Sequence, residues 1–389
     1  MSPPARSVPW LAKGFRPFFP LAAAYAVAAI GAWLHAVAAR ASVAPYFPPP
    51  YWHAHEMVHG FSAAVLAGFL LTAASNWTAR ETLVGARLGA LAAAWVAGRA
   101  VVAVGHALPA PLVAAVDLAF LPGLLAGVGR PIVGSRSRRN YGLLALLVGL
   151  ALANGAMHLG ALGLLPGGLQ RGAAAGVGLV ALVVVVVSAR VVPMFTRNAT
   201  GAPVRVTPRA DWLAFGGLAA LVLADAAGAG PELVGPVAAL TALALVLRSW
   251  GWGAWASRSV PLLWVLHVGH AFLPLALGLR ALAAAGLAPS SAWLHAVGAG
   301  AIGTLALGMM TRVGLGHTGR PLVAGRAMTV AFALVIAGAG GRVLAAFAPA
   351  AQQATAVVVA GALWSAAFAV YLVACGPALA RPRVDGRPG

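Results

Sequence analysis

The sequence predicts an all-α fold: a polytopic membrane bundle of about twelve transmembrane helices. Three observations predict it. The 389-residue chain is 61% hydrophobic and only 8% charged, against about 25% charged residues in soluble proteins. Its apolar runs reach the roughly 20 residues that cross a bilayer core as a helix. Those runs lack period-two alternation, which excludes the closed barrel, the other structure that satisfies its backbone inside lipid. Forty-eight glycines suit close helix packing in lipid. The one cysteine, Cys375, excludes an internal disulfide and clusters held by several thiolates.

Residues 1–16 form a basic arm carrying Arg6, Lys13 and Arg16, with no cleavable signal pattern after it. A single transmembrane domain then runs from 17 to 376, and 377–389 is a tail. The spans are expected at 17–39, 52–77, 83–104, 110–128, 140–163, 172–194, 210–228, 233–255, 260–286, 291–316, 325–348 and 354–376. If the N-terminus is inside, all but five of the 26 basic residues fall on the inner side; the exceptions are Arg40, Arg99, Arg171, Arg280 and Arg342. This bias predicts cytoplasmic termini. It also accounts for the +19 charge through the bilayer, without nucleic acid.

Spans two, six and ten end in related strings: Asn76-Trp77-Thr78, Met194-Phe195-Thr196-Arg197-Asn198, and Met310-Thr311-Arg312 followed by His317-Thr318-Gly319. His55 precedes Gly68 by the same interval as His295 precedes Gly308. The spacing suggests three four-helix units, with spans two, six and ten as an inner ring.

The chemistry concentrates where span two opens, in Tyr51-Trp52-His53-Ala54-His55-Glu56-Met57-Val58-His59-Gly60. At 100° per residue His55 and His59 share a face, and His53 lies opposite His55. His158 near the end of span five and His295 at the start of span ten share this outer depth, with His267 and His270 deeper on span nine. Ionisable groups in apolar helices are costly to desolvate, so they usually have partners. The seven imidazoles are read as ligands or neighbours of a redox metal centre, since imidazole suits haem iron, copper and zinc. The alternative is polar glue between helices. Glu56 is the candidate to orient an imidazole or relay protons; Asp117 and Asp225 are proton-path or packing residues. On the inner side Arg190, Arg197, Asn198, Arg312, His317 and Arg320 form a candidate cofactor-binding set for propionates or another anion. Ordinary positive-inside decoration is its alternative.

Several long strings in order resemble the NnrS family: His53-Ala54-His55-Glu56-Met57, Arg190-Val191-Val192-Pro193-Met194-Phe195-Thr196-Arg197-Asn198-Ala199, Leu307-Gly308-Met309-Met310-Thr311-Arg312 and Gly316-His317-Thr318-Gly319-Arg320-Pro321. Gly14-Phe15-Arg16-Pro17-Phe18-Phe19 and Arg139-Asn140-Tyr141 extend the resemblance over about residues 14–325. It implies a haem- and copper-containing protein of the bacterial inner membrane, tied to nitric oxide metabolism and nitrosative stress. The expected function is nitric oxide binding at haem with copper nearby, extending to reduction to nitrous oxide as in a nitric oxide reductase-like oxidoreductase. Reduction needs an electron donor that the sequence does not identify. The alternative is a non-catalytic transporter or sensor for nitric oxide, haem or copper.

Overall fold

A computed structural model describes residues 9–39 and 46–387. Arg6 and Arg40 lie outside the described residues. Twelve helices are long and apolar enough to span a membrane, as expected: α1 Phe15–Ala39, α2 Pro49–Thr78, α3 Gly85–Ala103, α4 Ala110–Gly134, α5 Arg138–Ala161, α6 Gly168–Thr200, α7 Pro208–Ala227, α8 Pro231–Trp250, α9 Pro261–Ala284, α10 Ser290–His317, α11 Arg326–Ala345 and α12 Ala350–Leu379. No strand occurs among the described residues. Proline opens several helices, where its missing N–H costs nothing and its fixed φ favours the first turn. α6 runs past its expected end to Thr200 and stops at Gly201, whose φ of 68° suits the left-handed cap.

Each helix packs against the next in sequence, and α12 returns to α1, closing the ring. α2, α6 and α10 also touch one another, and α2 and α10 are the most buried spans. Of the inner ring expected from the repeated strings, α2 and α10 are innermost, whereas α6 is less buried than α9. Arg16 at the start of α1 donates to the carbonyls of Leu379 and Arg381 after α12, so both chain ends meet at one face. We call it the termini face and its opposite the far face.

The two innermost helices share a feature that the sequence pattern does not announce. α2 widens into π-helical turns over Glu56–Ser62, and α10 over Ala296–Gly303. Each widening starts immediately after a histidine, His55 or His295. Widening leaves carbonyls without their usual partner, and in both helices a tryptophan indole supplies one. Trp95 Nε1 donates to Gly60 O, and Trp364 Nε1 to Ala299 O, both at 3.1 Å. Isolated π turns of this kind concentrate at functional sites.

Candidate metal centre

At the far face the first turns of α2 send side chains in two directions. His55 and Glu56 point toward α3, α4 and α5, His59 lies against Gly176 of α6, and all three are buried. Glu56 receives Arg99 Nη1 at 2.8 and 2.7 Å, His55 Nδ1 at 2.7 Å, and the Tyr25 hydroxyl. Arg99 Nη2 donates to Asp117 Oδ1. Asp117 Oδ2 accepts Asn154 Nδ2 and His158 Nε2, each at 2.9 Å. His55 Nε2 lies 2.9 Å from Asn154 Oδ1 and 3.3 Å from Asp117 Oδ2. Since both ring nitrogens of His55 face only acceptors, both donate, and the ring is an imidazolium. Two carboxylates thus face one guanidinium and one imidazolium, and the buried network is neutral. That balance is what makes it tolerable in a low-dielectric interior.

Close approach is built into the sequence here. A methyl group on Gly60 would sit 2.7 Å from Tyr25 and 3.3 Å from Glu56 Oε2; one on Gly98 would sit 2.8 Å from Asp117 Oδ1. Only glycine lets these helices come near enough for the bonds to form. Tyr46, in the loop before α2, closes the outer end by donating to His158 Nδ1 at 2.7 Å. Burial, and then the Asp117 charge, push the Tyr46 phenol up to about 12, so it stays a donor at neutral pH.

Ligand atoms of His55, Asp117 and His158 all lie within 4.8 Å of one another, a spacing that could hold a metal ion. Every one of those atoms already has a hydrogen-bond partner. A metal there would have to displace the His55 proton and several bonds. His59 differs: it lies 5.1 Å from His55, ring to ring, and both its nitrogens are buried without a partner.

His53 points the other way, as the helix geometry requires. It stacks on Trp33 at 4.6 Å and faces His295 of α10 at 6.1 Å, with the latter two rings 16° from parallel. Both histidines line a chamber of about 360 Å³ between α1, α2, α10, α11 and α12. His295 Nδ1 lies 2.7 Å from the Ser291 carbonyl. A carbonyl can only accept, so Nδ1 carries the proton and Nε2 keeps its lone pair. That is the tautomer of a metal-ligating histidine. His53 Nδ1 is buried with no partner. Arg342 lines the same chamber and has no hydrogen-bond partner among the described residues.

The remaining expected residues lie elsewhere. His267 bonds Thr196 Oγ1 at 2.9 Å and His270 packs on Trp252 at 4.6 Å, both in a separate pocket of contacts around α6, α8 and α9. His270 Nε2 has no partner. The six residues of the inner set share no hydrogen bond with one another among the described residues. Arg190 bonds Asn140 and the Arg139 carbonyl; Arg312 lies 3.9 Å from the Phe195 ring; Arg197 and Asn198 are exposed. Only His317 and Arg320 gather, against Arg16 and the tail.

A family model described as NnrS protein matches residues 9–383. The chain belongs to the NnrS family. Membership makes it a multi-pass membrane protein of the nitric oxide response, in a family associated with metals. No curated protein matches the chain.

Sequence reasoning placed Glu56 and the histidines of this NnrS chain but overlooked Arg99, Asn154, Tyr25 and Tyr46, and left Asp117 open. One signal was available. Arg99, Arg280 and Arg342 break the basic-residue bias, and each does something specific. Arg99 completes the network, Arg280 pairs with Asp225 and lies over Trp293, and Arg342 lines the chamber.

Proposed function

We propose that this NnrS protein binds haem in the chamber through His295, and binds nitric oxide there beside His53. The observation that carries the reading is the His295 tautomer: a lone pair held on a ring that lines a cavity, opposite a second imidazole with a free nitrogen. The chamber volume lies in the range of cofactor sites. Arg342, at its wall and without a partner among the described residues, suits a carboxylate of the cofactor, because a guanidinium offers a forked pair of donors. When bound, haem supplies an iron that takes nitric oxide and exchanges electrons.

The chain's own residues do the rest. Ser291 fixes the His295 tautomer, and Trp33 holds the His53 ring flat. Apolar side chains such as Ile30, Phe61 and Ile302 keep bulk water out and let a small neutral gas dissolve in. The His55–Glu56–Arg99–Asp117 network fixes the opposite face of the same helical turns. A copper ion on His55, His158 and Asp117 would have to displace the His55 proton and the bonds that hold the network together, so no copper is assigned to it. Reduction to nitrous oxide consumes two protons and two electrons per pair of nitric oxide molecules. We assign proton delivery to Glu56, adjoining the chamber turn of α2, and the electrons to a separate donor. The positive bias of the termini face favours insertion in the inner membrane with both ends cytoplasmic.

Protein purified without added haem and studied anaerobically tests this. A Soret band that shifts with nitric oxide is expected. A colourless protein that takes up no haem contradicts the reading. Nitrous oxide formed with an artificial donor supports reduction; binding without turnover favours sensing or transport.

A further inference from the structure

The termini face carries a buried cation that no described residue neutralises. Arg16 is fully buried in the first turn of α1. Its Nη1 donates to the carbonyls of Leu379 and Arg381 at 2.8 and 2.7 Å, while Nε and Nη2 are buried with no partner. Carbonyls supply dipoles, not a charge, and an unpaired guanidinium in a protein interior is costly.

The surroundings add positive charge. The segment after α10 and the tail after α12 fold together over this corner. Val384 N donates to Thr318 O at 3.1 Å, and Arg383 Nη1 to His317 O at 3.0 Å. The His317 ring packs 5.6 Å from Phe15. Arg320 and Arg383 are close enough to act on the Arg16 charge. Arg320 Nη1 is also buried without a partner. The two carboxylates that reach this corner are committed: Asp385 accepts Arg383 Nε and Nη2, and exposed Glu81 lies 3.9 Å from Lys13. The corner therefore presents two guanidinium edges with spare donors and, among the described residues, no free acceptor of opposite charge.

We propose that Arg16 and Arg320 bind a phosphate-type oxyanion, either an anionic lipid headgroup or free phosphate. Forked N–H pairs match tetrahedral oxyanions, and weakly hydrated guanidinium suits a buried site. The site is remote from the chamber and independent of haem.

Native mass spectrometry of the full-length, delipidated protein tests the assignment. The probes are phosphatidylglycerol, phosphatidylcholine and inorganic phosphate. Retention of phosphatidylglycerol at least tenfold above phosphatidylcholine assigns a headgroup; a phosphate adduct without lipid preference assigns the free ion. Arg16→Gln and Arg320→Gln each reduce retention at least tenfold. Arg190→Gln, which removes a guanidinium already bonded to Asn140, leaves it unchanged. Arg320 is only half-buried, so its variant tests the site even where Arg16→Gln fails to fold. Wild-type protein that retains neither probe above phosphatidylcholine overturns the proposal. So does an Arg320→Gln variant that retains them as wild type does.

Discussion

His53 and His55 stand two residues apart on one helix and belong to opposite kinds of site. His55 is bonded at both nitrogens inside a neutral cluster of two acids and two cations. His53 faces a cavity, with a buried nitrogen unpartnered and a second imidazole across from it. A satisfied network spends its polar groups on holding helices together and has none left for a ligand. An unsatisfied chamber gains nothing for the fold until something enters it. The difference teaches that clustering of histidines does not identify a ligand site; unspent hydrogen-bonding capacity does.

The contrast can be broken most forcefully at Arg99. Arg99→Met leaves two buried carboxylates facing a single imidazolium, and breaking such a pair costs about 3–5 kcal/mol. The expected outcome is a large loss of thermal stability in detergent, read by unfolding-dependent fluorescence. Stability within about 0.5 kcal/mol of wild type would show that the network holds nothing together.

Gly298 lines the chamber, and a Cβ there meets open space. Gly298→Leu should fill part of the cavity without touching a ligand. We expect haem content to fall at least severalfold while the melting temperature stays close to wild type. Full haem content would place the cofactor elsewhere.

Tyr46 sharpens the comparison from the network side. Tyr46→Phe removes one hydrogen bond to His158, worth about 0.5–1.5 kcal/mol. Because the folded phenol is raised above its ordinary value of about 10, the unfolded chain ionises first. Its contribution is therefore complete below about pH 10 and declines as pH rises toward the folded value of about 12. A wild-type minus Tyr46→Phe ultraviolet titration should show one phenol titrating near 12; a midpoint near 10 would remove Tyr46 from the buried chain of bonds.

The smallest effect is expected in the tail. Hydrogen bonds from Arg383 hold the Asp385 carboxyl down to about 2. The clasp is complete above the ordinary carboxylate range and is lost only as pH falls through about 2. The protection of the Val384 amide, its exchange rate corrected for the intrinsic pH dependence, should therefore be unchanged between pH 7 and 4, and lower in Asp385→Asn.

Most of the architecture was legible in the sequence, because lipid allows a helix so few alternatives. Apolar length set the twelve spans, and the related strings marked two of the innermost helices, α2 and α10, but also α6, which is less buried than α9. The opposed faces of His53 and His55 followed from helical geometry alone. The partners did not follow. Arg99, Asp117 and Asn154 reach His55 from three other helices, and the glycines that admit them, Gly60 and Gly98, look like any others in a chain with 48. The π turns after His55 and His295 were invisible as well, since an extra residue per turn leaves no mark in an apolar stretch. His267 and His270 illustrate the converse. Their spacing suits a shared metal, but packing sends them to Thr196 and Trp252, away from the other imidazoles.

The central claim is that the chamber, not the network, holds the cofactor. Its most direct test compares haem content and the Soret band of purified wild type, His295→Ala and His55→Ala. The account predicts that His295→Ala loses or shifts the band, while His55→Ala keeps its position on a less stable protein. An unaltered band in His295→Ala together with a lost band in folded His55→Ala would contradict it.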